Sequence, residues 1–315
     1  MNRFVKFITL ISLQIPAIIL SIFIFIHLFT NHRARLKPHK RSWCVLLLVN
    51  FFQLTTDIPM SLSYYYHGIV QPMSNIYCTW WTWYSFTLLG IGLFLMAWIS
   101  VERHILIFAP QGILQVPKNR WLIQTIPLIL CILWPVVFYA VSVVISPRCS
   151  TPWDFNLVMC GTPCYFTVEF IGKFDFIFNI VLPISIVVFA NIGLILRLIC
   201  KKILIRKVLH WHKHRKMTLQ LWIISSLYMG FWLPVTIVQL VQITGSPSFM
   251  IDTIETLLFI LYFIPVFLPI LSLNVFPELI KILIERFKRP RQIQIVPTSF
   301  SIDRKHHRMT LGTTH

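Results

Sequence analysis

Chemistry in this chain rests on few side chains. Ten acidic residues occur in 315, and several fall in or beside long apolar runs. Glu102-Arg103-His104 closes one such run. An ionisable group at membrane depth is costly and is a functional candidate by default. Adjacent opposite charges lower that cost, so Glu102 and Arg103 read either as an interfacial ion pair or as a switch that a partner reads. Asp175 and Asn179 stand at i,i+4 and so share one helix face. Glu255 and Asp57 are further acids near the ends of apolar runs. No H-E-x-x-H and no nucleophile–base pair occurs. The histidines cluster with lysine and arginine (His210, His212, His214, His306, His307), without zinc-ligand spacing to cysteine. Neither enzyme, metal nor cofactor is expected.

The elements that must position these groups follow from composition. Hydrophobic residues make up 57% and charged residues 12%, about half the charged fraction of a soluble domain. A bilayer core takes about 20 apolar residues as a helix. Seven such spans are predicted: Phe7–Phe29, Trp43–Tyr66, Cys78–Phe108, Trp121–Ile145, Phe174–Cys200, Met217–Thr244 and Thr253–Asn274. The first is followed by Arg33, Arg35, Lys37, Lys40 and Arg41, a stop-transfer pattern, and lacks a small-residue cleavage site. It reads as a retained helix. The expected fold is an all-α seven-transmembrane bundle over 1–290, with a basic, disordered tail over 291–315.

The formal charge is +18. Of the 28 lysines and arginines, 24 fall after spans one, three, five and seven, and four (Arg3, Lys6, Arg148, Lys173) fall on the other side. The positive-inside rule predicts an extracellular N-terminus and a cytoplasmic tail. This explains the charge without nucleic acid, which is not expected as a partner; the lipid bilayer is. Cys78, Cys149, Cys160 and Cys164 then face an oxidising compartment, where disulfides are expected. Three connectivities are open. Cys78–Cys160 is favoured, with Cys149–Cys164 as a second pair. Prolines interrupt several spans, among them Pro16, Pro59, Pro135, Pro183, Pro234, Pro265 and Pro269. Each frees a backbone carbonyl that neighbouring groups must satisfy.

Together these landmarks resemble the rhodopsin-like G-protein-coupled receptors. Cys78 precedes Arg103 by 25 residues, and Glu102-Arg103-His104 looks like that family's D/E-R-Y motif with histidine for tyrosine. Tyr228-Met-Gly-Phe-Trp232-Leu-Pro234 resembles its span-six signature, and Pro269 lies 35 residues later, where the family has N-P-x-x-Y. Trp134-Pro135 and Pro183 resemble landmarks of spans four and five. Pro277-Glu278-Leu279 resembles the start of a short amphipathic helix over 277–287. Several positions depart from the pattern. Leu268-Pro269-Ile-Leu-Ser272 lacks the asparagine and the tyrosine, Asn50 matches the usual span-two aspartate, and Asn191 stands where span five has tyrosine. The sodium-holding network of many relatives is therefore not expected.

The resemblance implies a ligand in the outer half of the bundle, contacting Ser85, Leu89, Asp175, Asn179, Trp232, Gln239, Glu255 and Tyr262. Ser85 stands where amine receptors carry an aspartate, which disfavours a monoamine bound in that mode. It also implies a heterotrimeric G protein at the cytoplasmic face, switched through Glu102, Arg103, His104, Tyr228, Trp232, Pro234 and Pro269. Asp175 and Glu255 would attract a cationic group, or else be solvated at the outer interface or pair with Lys173; Asp57 reads similarly, as a ligand contact or as one of a pair near the outer side. The run Trp80-Trp81-Trp83-Tyr84 reads as an interfacial belt with some core packing. The expected protein is a plasma-membrane receptor for an extracellular peptide or small molecule. A seven-span ligand-gated channel or a transporter is the alternative.

Overall fold

The computed structural model describes residues 2–30, 38–108, 117–145, 149, 151–204, 211–245 and 251–273. Among these the regular structure is helical, and seven helices are long and apolar enough to cross a membrane. They are α1 (Arg3–Thr30), α2 (38–67), α3 (Asn75–Phe108), α4 (117–145), α5 (169–204), α6 (Trp211–Thr244) and α7 (251–272). The amphipathic helix expected at 277–287 and the tail at 291–315 lie outside the described residues.

Burial is inverted relative to a water-soluble bundle. On α1 the outward positions include Ile8, Ile15, Ile19, Ile22, Ile26 and Phe29. The inward positions include Lys6, Gln14 and Ser21. An apolar outer face of this extent is compatible with hydrocarbon, not water. The seven helices therefore make a multi-pass membrane protein.

The helix α3 is the central post, packed against α2, α4 and α5. Around it α1 contacts α2 and α7, and α6 contacts α5 and α7. Close approach of α3 and α4 depends on Gly90: a Cβ there would lie 3.2 Å from the Pro135 and Tyr139 side chains. One core cluster joins Leu88, Ile91, Leu95 and Ile99 of α3 to Tyr228 and Trp232 of α6 and Leu268 of α7. A second, toward the other end, gathers Leu54, Ile58, Trp81, Met159 and Tyr262.

The prolines explain how the backbone is satisfied. A proline at 269 cannot donate to the carbonyl four residues earlier. That carbonyl, on Pro265, instead accepts the Asn50 side-chain amide at 2.9 Å. In α2 the residues Gln53–Asp57 form a π turn, and Ile58 donates back to Gln53. Continuing that i→i+5 pattern would require an N–H at position 59, which is proline. The vacated Leu54 carbonyl accepts the Gln14 amide of α1 at 2.6 Å. Further π turns occupy Ala140–Ile145 in α4 and Asp175–Val181 in α5. In α7 the helical run breaks at Tyr262, between Ile251–Leu261 and Phe263–Ser272.

Candidate functional site

Two polar regions lie at opposite ends of the bundle. At one end the structure bonds Cys78 to Cys160 and Cys149 to Cys164. The loop between α4 and α5 is thereby laid across the helix ends. Thr82 Oγ1 donates to Met159 O at 3.0 Å, Tyr64 OH to Asn156 O at 2.9 Å, and Val70 N–H to Phe155 O at 2.8 Å. Met159 and Cys160 hold φ of 56° and 60°, which costs energy for residues with a Cβ. The bond from Cys160 to α3 and the Thr82 contact hold that turn with Met159 buried.

Asp175 lies beneath this loop, buried, at the start of the α5 π turn. Tyr139 OH donates to its Oδ1 at 3.1 Å, Asn179 Nδ2 to Oδ1 at 2.6 Å, and Tyr165 OH to Oδ2 at 3.0 Å. Trp134 Nε1 donates to Asn179 Oδ1 at 2.8 Å. Burial first, and then the nearby Asp175 carboxylate, push the Tyr165 phenol well above its usual range. It therefore stays a donor. The expected pairing of Asp175 with Lys173 is not formed: donors from α4, α5 and the loop meet both Asp175 oxygens. Lys173 pairs with Glu169 at 2.5 Å on the surface.

Glu255 pairs with a cation other than Lys173. Its carboxylate meets Lys6 Nζ at 2.8 Å, with the lysine side chain 4% exposed and the glutamate 34%. The ammonium also lies 5.6 Å from the Tyr65 ring centroid and 5.8 Å from that of Phe259. The pair joins α1 to α7.

Asp57, at the end of the α2 π turn, is 1% exposed and accepts the Ser85 hydroxyl. The Trp81 indole faces the same carboxylate. Ser61 donates to Tyr262 OH at 2.6 Å beside it. Leu89 and Trp232 line the adjoining core. Gln239 Oε1 is buried and makes no hydrogen bond among the described residues. Ser85 and Tyr262 are thus brought together, whereas Asp175 and Asn179 form a separate cluster. Of the aromatic run, Trp81 is fully buried, while the exposed Trp80 stacks on Tyr84 at 5.3 Å.

At the opposite end Glu102 and Arg103 are 3% and 6% exposed. Ser42, Arg103 and Arg41 surround the Glu102 carboxylate. His104 Nε2 bonds the Ala190 carbonyl of α5, so that nitrogen carries the proton. Asn191 turns back onto Val187 O of its own helix at 2.7 Å. Tyr228 is buried, its hydroxyl 3.7 Å from where a Cβ on Gly92 would stand. Pro234 faces outward and Pro269 inward.

Several residues that build these sites carried only weak sequence signals. Lys6 looked like a flanking cation, and nothing in the sequence singled out Tyr139 or Tyr165. Asn50 and Gln14 were polar positions in apolar spans, and the prolines facing them were the only hint of their partners.

A family profile described as 7 transmembrane receptor (rhodopsin family) matches residues 21–272. A search of the curated proteins returned no match. The matched region runs from within α1 to the end of α7 and takes in both polar regions. The chain belongs to the rhodopsin family of seven-transmembrane receptors.

Proposed function

We propose that this receptor binds an extracellular ligand at its disulfide end and activates a heterotrimeric G protein at the Arg103 end. The observation that carries the reading is the buried Glu102-Arg103 pair, with the half-buried His104 beside it. A guanidinium this buried at the mouth of a bundle is expensive to hold. It becomes useful if an incoming partner helix draws it out.

The charge distribution supports the orientation, since 24 of 28 cations flank the Arg103 end in sequence. The ligand contacts in this reading are Ser85, Leu89, Trp232, Gln239 and Tyr262. Asp175, Asn179 and Glu255 act as positioning residues that hold the walls around them. A ligand that prefers the active bundle shifts the population by its differential affinity. The shift moves α6 about Trp232 and Pro234, with Tyr228 and Pro269 in the joint. His104 then holds α5 against α3 while the partner docks.

The test combines topology with signalling. An N-terminal epitope tag should label on intact cells, and a C-terminal one only after permeabilisation. A screen of peptides, amines and odorants against G-protein dissociation should then yield an agonist. Labelling in the reverse sense would reject the orientation and with it the receptor reading.

A further inference from the structure

Three carboxylates at the disulfide end, Glu255, Asp175 and Asp57, are turned into the bundle, and the chain treats them differently. Glu255 has a cation of its own in Lys6. Asp175 has three donors shared over both oxygens. Asp57 is as buried as Asp175 and more so than Glu255, and among the described residues the groups that face it are neutral: the Ser85 hydroxyl, the Trp81 indole, and the Tyr262 phenol held by Ser61. Among the described residues no lysine, arginine or histidine bonds to it. The nearest candidate on α1, Lys6, is turned onto Glu255 and the Tyr65 and Phe259 rings.

A buried carboxylate without a counter-charge is costly, and one or two hydroxyl donors do not replace a cation. The Trp81 indole N–H, on a fully buried side chain, faces this carboxylate without making a hydrogen bond of good geometry. The π turn that places Asp57 inward is itself a feature found often at functional sites. Gly68, the left-handed cap of α2, lies 11 residues on, about 16 Å at the rise of a helix. Thr82, which carries the Met159 carbonyl of the loop, is one turn from Ser85.

The lining selects among cations. Hydroxyl oxygens of Ser85, Ser61 and Tyr262 can accept N–H donors. The Trp81 indole, its N–H toward the carboxylate, adds an aromatic wall. Around them Leu54, Ile58, Leu62 and Val266 are apolar. No group of three histidine, cysteine or acidic residues suited to a metal occurs among the described residues. One carboxylate, a few hydroxyls, and aromatic and aliphatic walls suit an organic ammonium better than a metal ion.

We propose that Asp57, with Ser85, Trp81 and Tyr262, is the anionic anchor for a protonated amine carrying an apolar or aromatic body. This rests on the receptor reading for its biological sense but not for its test, which needs no G protein. The full-length protein, purified in detergent, is heated with 2-phenylethylamine, tryptamine or spermidine, and with the neutral 2-phenylethanol. At least one amine should raise the melting temperature dose-dependently in the wild type while the alcohol does not. Asp57→Asn should weaken that amine about a hundredfold or more, as loss of a buried charge partner does. Ser85→Ala keeps the carboxylate and should weaken it roughly tenfold; it remains informative if Asp57→Asn fails to fold. Stabilisation by sodium chloride over choline chloride, with no response to any amine, would overturn the proposal in favour of an inorganic ion. Equal amine responses in wild type and Asp57→Asn, or none in the wild type, would overturn it as well. Amine binding without G-protein dissociation would leave the anchor standing and count against the coupling reading alone.

Discussion

Asp175 offers the sharpest quantitative test, because its hydrogen bonds join α4, α5 and the loop that covers the mouth. Tyr165→Phe removes one hydroxyl, 3.0 Å from Oδ2, and little volume. Tyr139 and Asn179 remain on Oδ1. A hydrogen bond to a charged group contributes about 1.5–3 kcal/mol. Opening of the loop should therefore become roughly tenfold to a hundredfold more frequent. Limited proteolysis of the loop over 151–168 reads this population when reclosing outpaces cleavage. Asp175→Asn should open the loop at least as far. The double variant should open it no further than Asp175→Asn alone, since both substitutions remove one contact. The alkaline limit follows from the same contact. The Tyr165 phenol is neutral in the closed loop and held well above its usual 10.0 by burial and then by Asp175. The open loop titrates near the usual value, so protection is level below about pH 10 and falls as pH rises past it. A cleavage rate for Tyr165→Phe within twofold of wild type would refute the latch.

Three further substitutions probe the other ties. Lys6→Met strands the Glu255 carboxylate; because that group is partly solvated, the cost should be about 1–3 kcal/mol in thermal unfolding, less than for a fully buried pair. Glu255→Gln made in addition should recover part of that loss. Asn50→Leu leaves the Pro265 carbonyl without its donor and should cost about 1–3 kcal/mol, whereas Asn50→Asp, which cannot donate when ionised, should not rescue it. Replacing Cys149 and Cys164 together by serine opens a closure of 15 residues and should lower stability by about 3 kcal/mol, with protease sensitivity confined to the loop.

The seven helices were legible in the sequence because hydrocarbon tolerates long apolar runs that water does not. The break at Tyr262 in α7 was signalled only indirectly, by Pro265, which cannot donate to the Leu261 carbonyl four residues earlier. Asp57 and Asp175 stood out as acids in apolar context, but their roles did not. Partners such as Ser85, Tyr139 and Tyr165 are 10 to 36 residues away in sequence. The π turns that aim both aspartates have no signature in hydropathy. Lys6 was read from its flanking position as a topology signal, because only the folded bundle brings it beside Glu255, 249 residues on. Proline positions announced that carbonyls would be freed. Which amide would take each one, Asn50 or Gln14, depended on helix packing that no local pattern encodes.

In the proposed mechanism Arg103 hands a change in the bundle to a partner. Nucleotide exchange on a heterotrimeric G protein, stimulated by the first agonist that screening yields, should be measured for wild type and Arg103→Ala at matched surface expression. The prediction is loss of stimulated exchange with ligand binding retained. Undiminished exchange in Arg103→Ala would contradict it.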